Sequence, residues 1–218
     1  MYFYYLIEDQ SSEGLIHHIM KRVQEKYPNV SYDCKSFKGI GGFTKKNTVK
    51  ETKDGKLLND LATYLRGFNK SLQYSDATVF IVVDNDDHNP DAFNLELESV
   101  AQRNNITIDH VFCIAVEEME AWLLGDEEAL FKAYPDAKQP VLKSYIQDSI
   151  CGTWEILADV VYRGGITKMK KECQSYKEIG AIKAEWADRI GQYMQLNSNR
   201  SPSFNKYISE IEKRLSVA

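Results

Sequence analysis

Five apolar residues, Val79-Phe80-Ile81-Val82-Val83, run directly into Asp84-Asn85-Asp86-Asp87-His88. A continuous apolar run this short predicts a strand buried on both faces. In open α/β sheets, ligands bind beyond the carboxyl ends of such strands, so Asp84 and Asp86 are expected together on a functional rim. Crowded carboxylates repel and raise one another's pKa unless a cation lies between them. Hard oxygen donors of this kind suit Mg²⁺ or Mn²⁺. Two further apolar runs end in acids, Tyr2–Ile7 at Glu8 and Val111–Val116 at Glu117 and Glu118. Parallel strands would deliver all of these to one edge. Glu117 and Glu120 are three apart and are expected on one helix face. Such a set can hold one or two divalent ions and leave a carboxylate free as general acid or base. His88, next to the acids, is a further candidate ligand or proton relay. Asp87, Asp91, Asp126, Glu127 and Glu128 need no explanation beyond a wet rim.

The elements that must position these residues follow from periodicity and punctuation. Tyr2 to Ile7 reads as a strand, and Ser11 or Ser12 as the cap of a helix carrying Leu15, Ile16, Ile19, Met20 and Val23. Tyr27-Pro28-Asn29 ends that helix, and residues 30–37 alternate weakly as a second strand. Leu57, Leu58, Leu61, Leu65 and Phe68 mark a second helix, and the strand at 78–83 follows. Asn89-Pro90-Asp91 opens a third helix, and the strand at 111–116 continues into a helix through Trp122-Leu123-Leu124, which reads as core. The order β-α-β-α-β-α-β-α predicts a doubly wound, mostly parallel α/β sheet with right-handed crossovers, spanning residues 1–128. From Ala129 onward no strand is expected. Helices near 139–149, 153–162, 176–195 and 203–216 predict a helical extension over 129–218 packed on the sheet, its last helix capped by Ser201-Pro202-Ser203.

Composition narrows the class. The chain has 218 residues, 43% hydrophobic and 27% charged, which suits an ordinary core. No apolar run approaches the roughly 20 residues of a membrane-spanning helix. The first residues lack a basic segment and cleavage site, and the four cysteines form no C-x-x-C pair. A cytoplasmic, reduced protein away from any membrane is expected. The net charge of −5 is uneven: residues 1–136 carry 14 Lys/Arg against 23 Asp/Glu, residues 137–218 carry 13 against 9. Between 38 and 56, six lysines face two acids. Lys45 and Lys46 in that loop, and Lys168 in the tail, are candidate phosphate contacts. Gly39-Ile40-Gly41-Gly42 lacks the G-x-G-x-x-G spacing of a dinucleotide site and reads as a surface loop.

A strand ending in Glu and a later strand ending in Asp-x-Asp on a doubly wound core resemble the TOPRIM domain of topoisomerases, bacterial-type primases and overcoming-lysogenization-defect nucleases. More narrowly, Leu6-Ile7-Glu8 with Glu13, Val83-Asp84-Asn85-Asp86, Glu117-Glu118-Met119-Glu120-Ala121-Trp122-Leu123-Leu124 and Ser201-Pro202-Ser203-Phe204 resemble a microbial group of TOPRIM-like proteins. The resemblance implies Glu8 as general acid/base, a ligand role for Glu8 beside Asp84 and Asp86, and Mg²⁺ (or Mn²⁺) as the ion. It also singles out Glu120, without a chemical role. TOPRIM domains usually carry Gly after the first Glu, where this chain has Asp9; an acid there either adds a ligand or impedes approach of a phosphate backbone. Three functions follow: a metal-dependent phosphodiester-cleaving or phosphoryl-transfer enzyme acting on nucleic acid; a non-catalytic module that binds a regulatory or defence-system protein partner; and a phospho-acceptor receiver. The last wants a lysine at a later strand end, which no strand here supplies.

Overall fold

The computed structural model describes residues 1–41, 56–149 and 152–216. Lys45 and Lys46 lie outside the described residues. Four strands form one all-parallel sheet, β1 (Tyr2–Ile7), β2 (Ser31–Ser36), β3 (Ala77–Asp84) and β4 (Asp109–Ala115), in the order β2-β1-β3-β4. From β1 the chain moves outward to β2 through α1 (Gln10–Lys26). It then passes back beyond β1 to β3 through α2 (Leu57–Ser71) and on to β4 through α3 (Pro90–Arg103). The winding direction therefore reverses between β1 and β3, and crevices at such reversals are where doubly wound sheets bind ligands.

All eight residues of β3 are buried, as a strand covered on both faces must be. Pleating sends Leu6, Val79, Ile81 and Val83 into one core with α2 and α3. Phe3, Tyr5, Ile7, Phe80 and Val82 enter the other, with α1 and the later helices. The apolar stripe of α1 is buried as its spacing predicts. Its cap is Asp9, not Ser11 or Ser12. Asp9 is extended, and its Oδ1 accepts from the Ser12 N–H at 2.9 Å and the Ser11 hydroxyl at 2.8 Å.

Beyond β4 come α4 (Glu120–Gly125), α5 (Glu127–Ala133), α6 (Gln139–Ser144), α7 (Thr153–Val161), α8 (Gly165–Glu172), α9 (Tyr176–Gly191) and α10 (Pro202–Leu215). Sequence reading missed α5 and α8. Seven- and eight-residue helices show barely two turns of periodicity, and Gly164-Gly165, both at positive φ, reads as a break. The two segments most specific to the resemblance meet in the interior. Trp122 is wholly buried, donates from Nε1 to the Ser203 hydroxyl at 2.9 Å and stacks on Tyr207 at 5.1 Å. Ser201 caps α10 with Pro202 in its first turn, as expected. Among the described residues, no helix is long and apolar enough to cross a membrane.

Candidate functional site

β1 and β3 are hydrogen-bonded neighbours with Ile7 opposite Val82, so the residues that follow each strand emerge side by side. The Glu8 N–H donates to the Val82 carbonyl at 3.1 Å, and Glu8 Oε2 accepts from the Asp84 N–H at 3.0 Å. Asp84 is 8% exposed, and its Oδ1 accepts from the Met119 N–H at 2.9 Å. Asn85 organises the turn. Wholly buried, it donates from its backbone to the Ala115 carbonyl at 3.2 Å, while its side chain bridges the Glu117 N–H and the His88 carbonyl. The chain then bends at Asp86, whose φ is 47°, and carries that carboxylate to the exposed rim. In Asp-Asn-Asp the first acid is thus buried, the second surface-placed, and the amide between them is the brace.

The charge balance depends on a residue that sequence reading missed. Lys183, on α9, reaches Glu120 at 3.2 Å and Glu118 at 3.4 Å, with 16% of its side chain exposed. Burial opposes its charge, but Glu120, Glu118, Asp84 and Asp9 outweigh that and hold it protonated. The available signal was its position: Lys183, Trp186, Ala187 and Ile190 occupy i, i+3, i+4 and i+7, so this lysine sits on the buried stripe of its helix. One ammonium does not neutralise the cluster. Burial, then the charges of Glu8 and Glu120, push Asp84 well above the usual carboxylate range. Burial also raises Glu120. Glu8 is pushed to about 7 by burial and by Asp86 and Asp9, against the opposing Asp84 N–H and Lys183. Glu118 reaches about 7 through burial and Glu120, against Lys183 and the Trp154 N–H.

These shifts carry a sign that can be measured. A carboxyl raised in the fold contributes stability that is complete below its ordinary value of 4.5 and is lost as pH rises through about 7. In chelator, the melting temperature is therefore expected to fall between about pH 4.5 and 7, with Glu8 and Glu118 acting in the same direction. Calorimetry across that window should show a shallower fall in Glu8→Gln and in Glu118→Gln.

The other candidates disperse. Glu117 has φ 63° and precedes α4, so it shares no helix face with Glu120. Its carboxylate accepts from the Thr153 N–H at 2.9 Å and also from the Gly152 N–H and Thr153 hydroxyl. It serves the N-terminus of α7, where unpaired backbone donors attract an anion. Glu117→Ala is expected to cost about 1–2 kcal/mol, as lost caps do, while leaving any response to divalent ions intact; paired thermal melts with and without Mg²⁺ check this. His88 stacks on Phe93 at 5.1 Å with Nδ1 2.8 Å from the Asn85 carbonyl, so the β3 turn and α3 account for its position. Lys168 pairs with Glu172 at 3.5 Å on α8, where a solvated helix end explains it. Asp9 caps α1 and is among the acids that raise Glu8 and Asp84.

The donors are all oxygen, which fits Mg²⁺ or Mn²⁺ and disfavours softer ions. Among the described residues, no three His, Cys, Asp or Glu side chains are already gathered as a closed cage. That is compatible with Mg²⁺, which keeps several waters and is typically held by one or two carboxylates together with substrate phosphates. Glu8, Asp84 and Asp86 are the residues that would hold it. In comparison with known families, the model described as "Domain of unknown function (DUF4276)" matches residues 7–212. No curated protein and no solved structure matches the chain.

Proposed function

The chain belongs to the DUF4276 family, and from the carboxylates at its β1–β3 reversal we propose a divalent-metal-dependent enzyme that cleaves or transfers phosphodiester groups of nucleic acid. The observation that carries this reading is the junction of Glu8 and Asp84, residues 76 apart in sequence joined by one hydrogen bond at the carboxyl ends of adjacent strands. The resemblance to TOPRIM domains points the same way. Burying like charges costs stability, and proteins retain such arrangements mainly where function uses them. A bound Mg²⁺ would neutralise the phosphate oxygens and favour a water nucleophile. Glu8, which burial raises to about 7 in the metal-free protein, is the carboxyl placed to accept and return a proton. Asp84, fixed by Met119, and Asp86, exposed on the rim, would hold the ion beside Glu8. Lys183 holds Glu118 and Glu120 in place behind them.

The test is incubation of the purified chain with end-labelled single- and double-stranded DNA and RNA in Mg²⁺ or Mn²⁺. Cleavage or transfer should require the ion, weaken steeply with added salt, and fall by about 10²–10⁴ in Glu8→Gln, the range for loss of a general acid or base. Absence of divalent-ion binding by calorimetry, together with an Asp84→Ala variant indistinguishable from wild type, would overturn the proposal.

A further inference from the structure

A groove of about 500 Å³ runs along the outer side of β4, away from the Glu8–Asp84 junction. Residues 110–114 of β4 line it, with Asp91 and Glu98 of α3 on one wall and Lys206 and Glu210 of α10 on the other. β4 is an edge strand and, among the described residues, pairs only with β3. The Ala115 carbonyl accepts from Asn85, so the odd-numbered residues of β4 direct their backbone groups toward β3. Alternation then turns the N–H and C=O groups of His110, Phe112 and Ile114 into the groove. Unpaired edges are templates for another strand, and proteins usually blunt them with prolines, bulges or lysines. β4 has neither proline nor lysine, and its register with β3 is unbroken over seven residues.

The walls indicate what fits. Asp91, Asn94 and Glu98 line the groove from one face of α3. Glu98 approaches His110 at 3.6 Å, whereas Glu210 is already paired with Arg214 on α10. The α3 wall therefore offers carboxylates and an amide, and the α10 wall offers Lys206. A second copy pairing antiparallel through β4 would place α3 against α3 across the twofold axis and set the acidic face of one copy against that of the other. An isolated strand meets no such repulsion. We propose that this groove takes an extended peptide segment of a protein partner as a fifth strand on β4, with basic side chains directed toward α3. Main-chain hydrogen bonds give such a complex its affinity and alternate side chains its specificity.

The probe is a phage-displayed library of random nine-residue peptides selected against the full chain. Enriched peptides should carry Lys or Arg at alternate positions and, as synthetic peptides, protect the amides of His110, Phe112 and Ile114 from hydrogen exchange. Binding should weaken at least tenfold in Asp91→Lys/Glu98→Lys. On the unaltered protein, it should be abolished by N-methylation of the peptide backbone at alternate residues. The proposal is overturned if no peptide is enriched, if binding ignores both the charge reversal and N-methylation, or if protection falls elsewhere. Concentration-dependent dimerisation of the chain that protects the same three amides would also overturn it, in favour of a second copy.

Discussion

Asp84→Asn is expected to melt at a higher temperature than the unaltered protein in chelator, and to lose the upward shift that Mg²⁺ is expected to give the unaltered protein. The asparagine keeps an acceptor for the Met119 N–H and nearly the same volume. It removes a carboxyl that burial, Glu8 and Glu120 all disfavour in its charged form. Removing a charge that the fold disfavours should raise the melting temperature at neutral pH. Losing an ion's stabilisation of developing charge costs several kcal/mol in the transition state, and about 1.4 kcal/mol is tenfold in rate. Metal-dependent cleavage should therefore drop at least about 100-fold. Differential scanning fluorimetry with and without Mg²⁺, beside the cleavage assay, separates the possibilities. A variant that melts lower and loses activity is merely damaged. One that melts higher yet keeps its Mg²⁺ shift would show that Asp84 is not a ligand.

That opposition between stability and function is also why part of the site was legible in the sequence. Val79 to Val83 leaves no doubt about a doubly covered strand, and acids packed onto its end conflict with burial, so Asp84 announces itself. Glu8 is visible because Tyr2–Ile7 is a short apolar run with an abrupt polar end. Lys183 belongs to a long amphipathic helix in which lysines are ordinary, and only its register against Trp186, Ala187 and Ile190 sets it apart. Glu117 misleads for a different reason. Its contribution depends on where the N-terminus of α7 arrives, 35 residues later, which is a property of tertiary packing and not of local pattern. Asn85 was read only as the spacer of an Asp-x-Asp, yet its side chain joins the β3 turn to the turn after β4. The α5 and α8 helices were lost because short helices are stabilised by the surface they cover more than by their own propensity.

Lys183→Met should be the most damaging single change at this site for the metal-free protein. Methionine can follow the lysine stem along the buried stripe of α9, so little packing is lost. What disappears is the ammonium shared by Glu118 at 3.4 Å and Glu120 at 3.2 Å. A buried ion pair is worth little against a well-packed apolar substitute, but removing one partner strands the other and costs about 3–5 kcal/mol. For this chain that amounts to a melting-temperature drop of about 10 °C. Because the cause is stranded charge, two independent reliefs should each recover part of the loss. Glu120→Gln in the same chain removes one of the stranded carboxyls, giving a favourable coupling in a double-mutant cycle. An ion held at Asp84, as proposed, would supply positive charge from that side, so the stabilising shift with Mg²⁺ should be larger in Lys183→Met than in the unaltered protein. Lys183 would then be a counter-charge that the ion can partly replace. If Lys183→Met melts with the unaltered protein, the pairing contributes nothing. If it melts far lower and neither Glu120→Gln nor Mg²⁺ restores it, the lysine acts by fastening α9 to the sheet edge, and its charge has no part in the metal response.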